Sequence, residues 1–115
     1  DIQLAKDALR DLISPEEGQP ITADTIIDIV SEHFGITRAD ILSKKRNAEI
    51  AQPRQIVMYL CREMLDLPYK SIGKVLARDH STVMHGITAV EDEMSQYPDM
   101  QRTIDVLKRK INPGG

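Results

Sequence analysis

The sequence predicts an all-α fold, a small helical bundle that contains a helix-turn-helix. In one segment after another, apolar residues recur three and four positions apart, which is the spacing of one face of an α-helix. Of the 115 residues, 41% are hydrophobic and only 3% are aromatic, so the expected core consists of Ile, Leu, Val and Met side chains. A chain of this length suits one domain.

Residues 1–20 are expected to precede the bundle as a linker helix followed by a hinge. Residues 14–20 are rich in Pro and Gly, which is typical of a loop. A helix that simply completes the core is the alternative for the residues before the hinge. The helix-turn-helix domain itself is predicted to span residues 21–115. The apolar face of the linker helix consists of Ile2, Ala5, Leu9, Leu12 and Ile13.

Two capped helices are predicted at the start of the bundle. Thr22 can cap the first helix, and Gly35 can end it because glycine tolerates left-handed backbone geometry. Thr37 and Asp40, three residues apart, form a predicted capping box for a short second helix through Leu42. The apolar face of the first helix consists of Ile26, Ile27, Val30 and Phe34.

A long helix is predicted after residues 43–47 (Ser-Lys-Lys-Arg-Asn), which we call the basic loop. Proline is tolerated in the first turn of a helix, so Pro53 predicts a start between Ala48 and Gln52. Cys61 is the only cysteine and is expected to be a buried apolar residue. A single cysteine cannot form an internal disulfide, which fits a reducing, cytoplasmic compartment. The core side of this helix is predicted to carry Ile50, Val57, Leu60, Cys61 and Met64.

The helix-turn-helix is predicted over residues 67–87. Pro68 suits the first position of its first helix. Gly73 lies inside that helix, where a missing side chain would let the second helix approach closely. Asp79 is a strong N-cap for the second helix, the recognition helix, predicted at about residues 79–95. Its core stripe consists of Val83, Ile87, Val90 and Met94.

A final helix is predicted to open at residues 97–99 (Tyr-Pro-Asp) and to support the bundle. Its apolar residues recur at helical spacing and are expected to face inward. These residues are Met100, Ile104, Leu107 and Ile111.

The charge distribution favours a DNA-binding face, although the formal net charge is -3. Residues 1–37 hold two basic and eight acidic side chains, whereas residues 38–62 hold six basic and two acidic ones. A positive band in an acidic protein can steer DNA to one surface. The basic members of this band are Arg38, Lys44, Lys45, Arg46, Arg54 and Arg62.

The sequence argues against catalysis, metal binding and a membrane segment. Asp79, His80 and Ser81 have the residue types of a hydrolase triad, but adjacent helical side chains diverge by about 100° and cannot form its hydrogen-bond chain. His80 and His85 lie five residues apart with no evident third ligand, which makes a poor zinc site. There is no Walker A glycine loop and no apolar run near 18 residues. We therefore expect no enzyme activity and no cofactor in this chain.

Three sequence matches in the same order point to one family. Residues 78–85 (Arg-Asp-His-Ser-Thr-Val-Met-His) resemble the signature of the C-terminal DNA-binding domain of the bacterial chromosomal replication initiator DnaA. Residues 42–46 (Leu-Ser-Lys-Lys-Arg) and 51–55 (Ala-Gln-Pro-Arg-Gln) are similar to two further stretches of that domain. The resemblance covers about residues 21–111.

The resemblance implies sequence-specific binding of double-stranded DNA at the short boxes of a replication origin. Helical geometry alone would favour Ser81 and His85 as readers, so the roles of Asp79 and His80 rest on the resemblance. The implied base contacts are Arg46, in the minor groove, and Asp79, His80 and Ser81. The implied phosphate contacts are Lys45, Arg54, Gln55, Arg62 and Thr82. Further candidates for contact with DNA are Lys44, Arg78 and His85.

The same resemblance implies a longer protein. Residues 1–20 would then end a preceding ATPase domain that binds ATP and magnesium, and this chain would be a fragment. One domain is expected to bind each box as a monomer, with oligomerisation through other domains. A transcription regulator is the alternative, but it would normally dimerise. A protein-interaction module is a weaker alternative, since the basic loop would then have no function.

The turn of the helix-turn-helix departs from the family pattern. Relatives usually have an aromatic residue and two glycines before the Arg-Asp-His run, whereas this chain has only Leu76 and Ala77, one residue fewer. A left-handed residue is then expected at Ala77 or Arg78, at a cost of about 1–2 kcal/mol. Thr88 and Ala89 are neutral where relatives often carry basic residues, so no phosphate contact is expected there.

Overall fold

The computed structural model describes residues 21–113, which form six α-helices and, over that range, no β-strand. The predicted all-α bundle is confirmed, while the predictions for residues 1–20 lie outside the described residues. None of these six helices is long and apolar enough to cross a membrane. The helices are α1 (Ala23–Phe34), α2 (Arg38–Leu42), α3 (Ala48–Leu65), α4 (Tyr69–Leu76), α5 (His80–Gln96) and α6 (Pro98–Ile111).

The first two helices are capped as predicted. The Thr22 hydroxyl accepts a hydrogen bond from the Thr25 N–H, and Gly35 ends α1 in the left-handed conformation with φ 71°. Thr37 and Asp40 form both hydrogen bonds of a capping box at the start of α2. These local signals define where α1 and α2 begin.

The central helix of the bundle is α3, which packs against α1, α2, α4 and α5. The last helix, α6, packs against α1 and α5. Apolar side chains from all six helices meet in one core, as the aliphatic composition predicted. Cys61 is fully buried in this core, and burial raises the pKa of its thiol to about 12.

The helix α3 begins at Ala48, within the predicted range, but Pro53 lies in its second turn. The expectation that this proline is confined to the first turn is therefore wrong. Proline has no N–H to donate to the carbonyl of Glu49, four residues earlier. An 18-residue helix packed on four neighbours tolerates the loss of one such hydrogen bond.

The helix-turn-helix consists of α4, a short turn and α5. Pro68 is the N-cap residue of α4 rather than its first helical residue, so the helix begins one residue later than predicted. Ala77 is left-handed, with φ 56°, which is one of the two predicted outcomes. Gly73 permits a close approach, because a Cβ atom there would lie 2.4 Å from the carbonyl oxygen of Arg78. The element that approaches is the turn, whereas the second helix was predicted to do so. The turn backbone therefore rests directly on α4.

Candidate nucleic-acid interface

The N-terminal tip of the recognition helix α5 is organised by Asp79. Its carboxylate accepts a hydrogen bond of 2.8 Å from the Thr82 N–H, which caps the helix. Hydrogen bonds from Thr82 hold the pKa of Asp79 below its ordinary value, so the carboxylate stays ionised beside the positive end of the helix dipole. The cap occupies one carboxylate oxygen, and the second can still accept a hydrogen bond from a base.

The candidate base readers on α5 lie on its solvent side. His80, Ser81 and His85 are exposed, whereas Val83 and Ile87 are buried against the bundle. The recognition helix therefore presents donors and acceptors outward at its N-terminal end, which is the end that enters a major groove in helix-turn-helix proteins.

The basic loop is held by Arg54, whose side chain projects from α3. Its Nε donates to the Ile41 carbonyl at 2.7 Å, and its Nη1 donates to the Lys45 carbonyl at 2.9 Å. Its Nη2 donates to the carbonyls of Asp40 and Ser43 at 3.2 and 2.9 Å. Arg54 is only 6% exposed. A guanidinium has five N–H donors, and these contacts use four of them.

A second arginine, Arg78, reaches the same loop from the turn before the recognition helix. Its Nη2 donates to the Ser43 carbonyl, which Arg54 also contacts. Its Nη1 donates to the carbonyls of Leu76 and Ala77 within the turn, each at 3.2 Å. The basic loop is thus joined to both α3 and the helix-turn-helix.

These side chains enclose an open cleft of about 380 Å³ between the basic loop and the tip of α5, which we call the basic cleft. Cations dominate its lining, and Thr82 brings the recognition helix to its edge. Such a concentration of positive charge in a concave surface attracts a phosphate backbone. The lining residues are Lys44, Lys45, Arg46, Ala51, Arg54, Arg78 and Thr82.

Two of the predicted phosphate contacts lie elsewhere. Arg62 is near the C-terminal end of α3, where it donates to the Leu67 carbonyl at 2.9 Å and stacks 5.1 Å from the centre of the Tyr69 ring. Gln55 lies at the crossing of α3 and α5, where a Cβ atom on Gly86 would come within 3.3 Å of its Cγ. Neither residue lines the basic cleft.

The positive band predicted over residues 38–62 is not continuous in space. Arg38 is paired with Asp28 at 2.8 Å and with Asp24 at 3.0 Å, on the side of α1. Lys45 is paired with Asp40 at 3.0 Å, and this contact lowers the pKa of the Asp40 carboxyl. The band therefore divides into a neutralised part at Arg38, a cluster around the basic cleft, and Arg62 near the C-terminal end of α3.

The support that Arg54 gives to the basic loop was not predicted from the sequence. The signal was present, because Arg54 lies at the fourth residue after Ile50 and three residues before Val57, on the apolar stripe that continues to Cys61. A charged residue on such a stripe is buried with hydrogen-bond partners. The carbonyls that Arg54 contacts depend on the path of residues 40–45, and the apolar stripe of α3 does not specify that path.

Comparison with known proteins gives one consistent result. The family model for the bacterial dnaA protein helix-turn-helix matches residues 23–90. The chain is 51% identical over 114 residues to the chromosomal replication initiator protein DnaA of Lachnoclostridium phytofermentans, a match that covers 98% of this chain and 25% of that protein.

More distant relatives carry the same name. The chain is 44% identical over 108 residues to DnaA of Neisseria gonorrhoeae, covering 93% of this chain and 21% of that protein. It is 39% identical over 111 residues to DnaA of Caldanaerobacter subterraneus, covering 96% of this chain and 25% of that protein. The chain thus spans about a quarter of the length of its relatives or less, and it belongs to the bacterial DnaA helix-turn-helix family.

Proposed function

We propose that this domain binds double-stranded DNA at the short boxes of a bacterial replication origin and thereby positions a replication initiator there. The family and the names of the relatives support this proposal. The observation that carries it is the meeting of the basic loop and the tip of the recognition helix at the basic cleft. One side of this surface suits a major groove and the other suits the adjacent minor groove.

The proposed base readers are four residues with different tasks. The Asp79 carboxylate can accept from a cytosine amino group, while His80 and Ser81 can meet neighbouring base edges. Arg46, exposed on the basic loop, enters the minor groove, where narrow A·T-rich DNA concentrates negative potential. His85 is exposed farther along α5 and is a candidate for an additional contact.

The proposed phosphate contacts surround these readers. Lys44, Lys45 and Thr82 offer donors from the edge of the basic cleft. Arg54 makes four hydrogen bonds, two with α2 and two with the basic loop, and has one N–H left. Its contribution therefore combines one phosphate contact with support of the loop. Gln55 and Arg62 lie outside the cleft, and we propose that they contact the backbone on either side of it.

A titration of this domain against two duplexes tests the proposal. One duplex contains an origin box and the other contains the same bases in scrambled order. We expect the box to bind at least about 10³-fold more tightly at physiological salt, because specific sites exceed non-specific DNA by that order. Equal affinity for the two duplexes would overturn the proposal.

The stoichiometry of the complex distinguishes this proposal from a transcription regulator. A domain that reads one box alone binds as a monomer, whereas a helix-turn-helix regulator binds paired half-sites as a dimer. We propose one copy of the domain per box, with oligomerisation through other parts of the longer protein. Analytical ultracentrifugation of the complex on a single box measures this directly, and a 2:1 complex would contradict it.

The longer protein is also proposed to bind ATP and magnesium, outside the residues described above. This proposal is supported by the resemblance to an initiator whose preceding domain is an ATPase. Residues 1–20 would then connect that domain to the DNA-binding bundle. Nucleotide binding by the longer protein, with none by residues 21–115 alone, is the expected result.

A further inference from the structure

Two guanidinium groups, from different elements, attach the basic loop to the DNA-binding surface. Arg54 donates from α3, and Arg78 donates from the turn that precedes α5. Both reach the carbonyl of Ser43, the first residue of the loop. Arg46 lies three residues after Ser43, so the segment that leads to it begins at an anchored residue.

The main chain of Arg78 is itself fixed on α4. Its N–H donates to the Gly73 carbonyl at 2.8 Å, and its own carbonyl oxygen lies 2.4 Å from the position that a Cβ atom on Gly73 would take. The left-handed Ala77 brings the chain into this position in a turn without glycine. The Arg78 side chain therefore extends to the basic loop from a fixed part of the molecule.

The acceptors of both arginines are neutral. In residues 21–113 the hydrogen bonds of these two guanidinium groups go to main-chain carbonyls, whereas Arg38 is paired with Asp24 and Asp28. The charges of Arg54 and Arg78 therefore remain available to attract DNA. Burial, and to a smaller extent the repulsion between the two groups, lowers the pKa of Arg54.

We propose that Arg78 is a positioning residue for DNA recognition, because its hydrogen bond to Ser43 holds Arg46 of the basic loop at a set distance from the readers on α5. This inference rests on the proposed function. Its physical basis is pre-organisation, since a loop that is ordered before binding loses less entropy when it enters a minor groove. The minor-groove and major-groove contacts are then coupled through Arg78.

The first test uses the domain without DNA, so it does not depend on the proposed function. Amide hydrogen exchange is measured at Lys45, whose N–H donates to the Ser43 hydroxyl at 3.2 Å, and is compared among wild type, Arg78→Ala and the control Lys44→Ala. Lys44 lines the same cleft and is exposed, so this control removes one nearby charge. We expect exchange in the loop to rise by about tenfold in Arg78→Ala, because a lost anchor permits local opening. Loop exchange equal to that of Lys44→Ala would overturn the inference.

The second test measures coupling on DNA. Two box duplexes differ only in whether the flank beside the basic loop is A·T-rich or G·C-rich, and the ratio of their Kd values reports minor-groove reading. We expect Arg78→Ala to reduce this ratio by about fivefold, because Arg46 is no longer held in place. Lys44→Ala should weaken both duplexes alike. An Arg78→Ala variant that also weakens both alike would be losing only a charge, and the inference would fail.

A double-substitution cycle makes the argument specific to Arg46. In the wild-type background Arg46→Ala should abolish the flank preference, whereas in the Arg78→Ala background it should change the preference little. Additive effects would overturn the coupling. If the wild-type domain did not distinguish a box from scrambled DNA, the proposed function would fall, while the exchange experiment would still decide whether Arg78 orders the loop.

Discussion

His80 is the residue at which base reading and structural support can be separated most clearly. We expect His80→Ala to weaken binding to an origin box by about 1–3 kcal/mol and to leave non-specific binding and the salt slope almost unchanged. Because His80 is exposed at the first position of α5, the Tm of the variant should equal that of wild type. Titrations and melting curves on the same samples measure both quantities.

Arg62→Ala is the matched control for His80→Ala. Arg62 is charged and exposed but lies at the far end of α3, so its loss should weaken all duplexes alike and make the salt slope shallower by about one. A large fall in Tm for His80→Ala would remove that residue from the set of readers. Asp79 and Ser81 would then be the remaining base contacts on α5.

Arg46→Ala tests the minor-groove role of the basic loop. We expect binding to the box to weaken by about 1–3 kcal/mol and the preference for an A·T-rich flank to fall, because an arginine in a narrow groove responds to its width. Fluorescence anisotropy on duplexes with A·T-rich and G·C-rich flanks measures this. A loss of equal size on scrambled DNA would show that Arg46 contacts only phosphate.

The candidate readers could be predicted from the sequence, whereas the partners of the two buried or half-buried arginines could not. The candidate readers could be named from residue type and from the resemblance, and their exposure agrees with that role. Arg54 was expected to contact phosphate, but its partners are four carbonyls that no local pattern specifies. The contact between Arg78 and Ser43 joins residues 35 positions apart, which is beyond the range of helical periodicity.

At the scale of elements, the turn between α4 and α5 carries measurable strain. Ala77 is left-handed, a conformation that costs a residue with a Cβ atom about 1–2 kcal/mol. We expect Ala77→Gly to raise the free energy of unfolding by up to about 1 kcal/mol, because the relief of strain exceeds the added flexibility of the unfolded chain. Urea denaturation of the two proteins measures the difference.

The control for this substitution is Ala89→Gly in the middle of α5. Ala89 has helical geometry, so glycine there should lower stability by about 1 kcal/mol. Opposite signs for the two substitutions would identify the turn as the source of the gain. A loss of stability in Ala77→Gly would mean that the turn is not strained.

The helices themselves were predictable because their signals are local. Caps at Thr22, Thr37 and Asp79 and the apolar stripes of α1 and α5 determine type and approximate extent. The position of Pro53 in the second turn of α3 was not predicted, since it depends on packing against four other helices. The sequence limited the left-handed residue of the turn to Ala77 or Arg78, and the three-dimensional structure shows that it is Ala77.

At the scale of the whole molecule, the charge distribution explains how an acidic domain can bind DNA. The chain has a formal net charge of -3, yet cations dominate the basic cleft. Arg38 on α1 is paired with Asp24 and Asp28 and adds little to that field. The positive potential is therefore local, which favours one orientation of the duplex during encounter.

This arrangement predicts a strong dependence of affinity on salt. About four to six phosphate contacts imply a slope of log K against log salt near -4 to -5 on B-DNA, because each contact releases condensed counterions. Titrations between 50 and about 250 mM KCl measure the slope at constant pH. A slope shallower than about -2 would contradict the proposed set of phosphate contacts.

The burial of Cys61 has a consequence for labelling chemistry. It is the only cysteine in the chain, it lies fully inside the core, and its thiol has a pKa of about 12. At neutral pH only on the order of 10⁻⁵ of such thiols are ionised, and the thiolate is the form that reacts with maleimides. A cysteine introduced at an exposed position such as Lys70 or Gln101 would therefore be the sole site of modification, with no need to replace the native one. The folded domain can thus carry a single fluorophore or spin probe while its core remains intact.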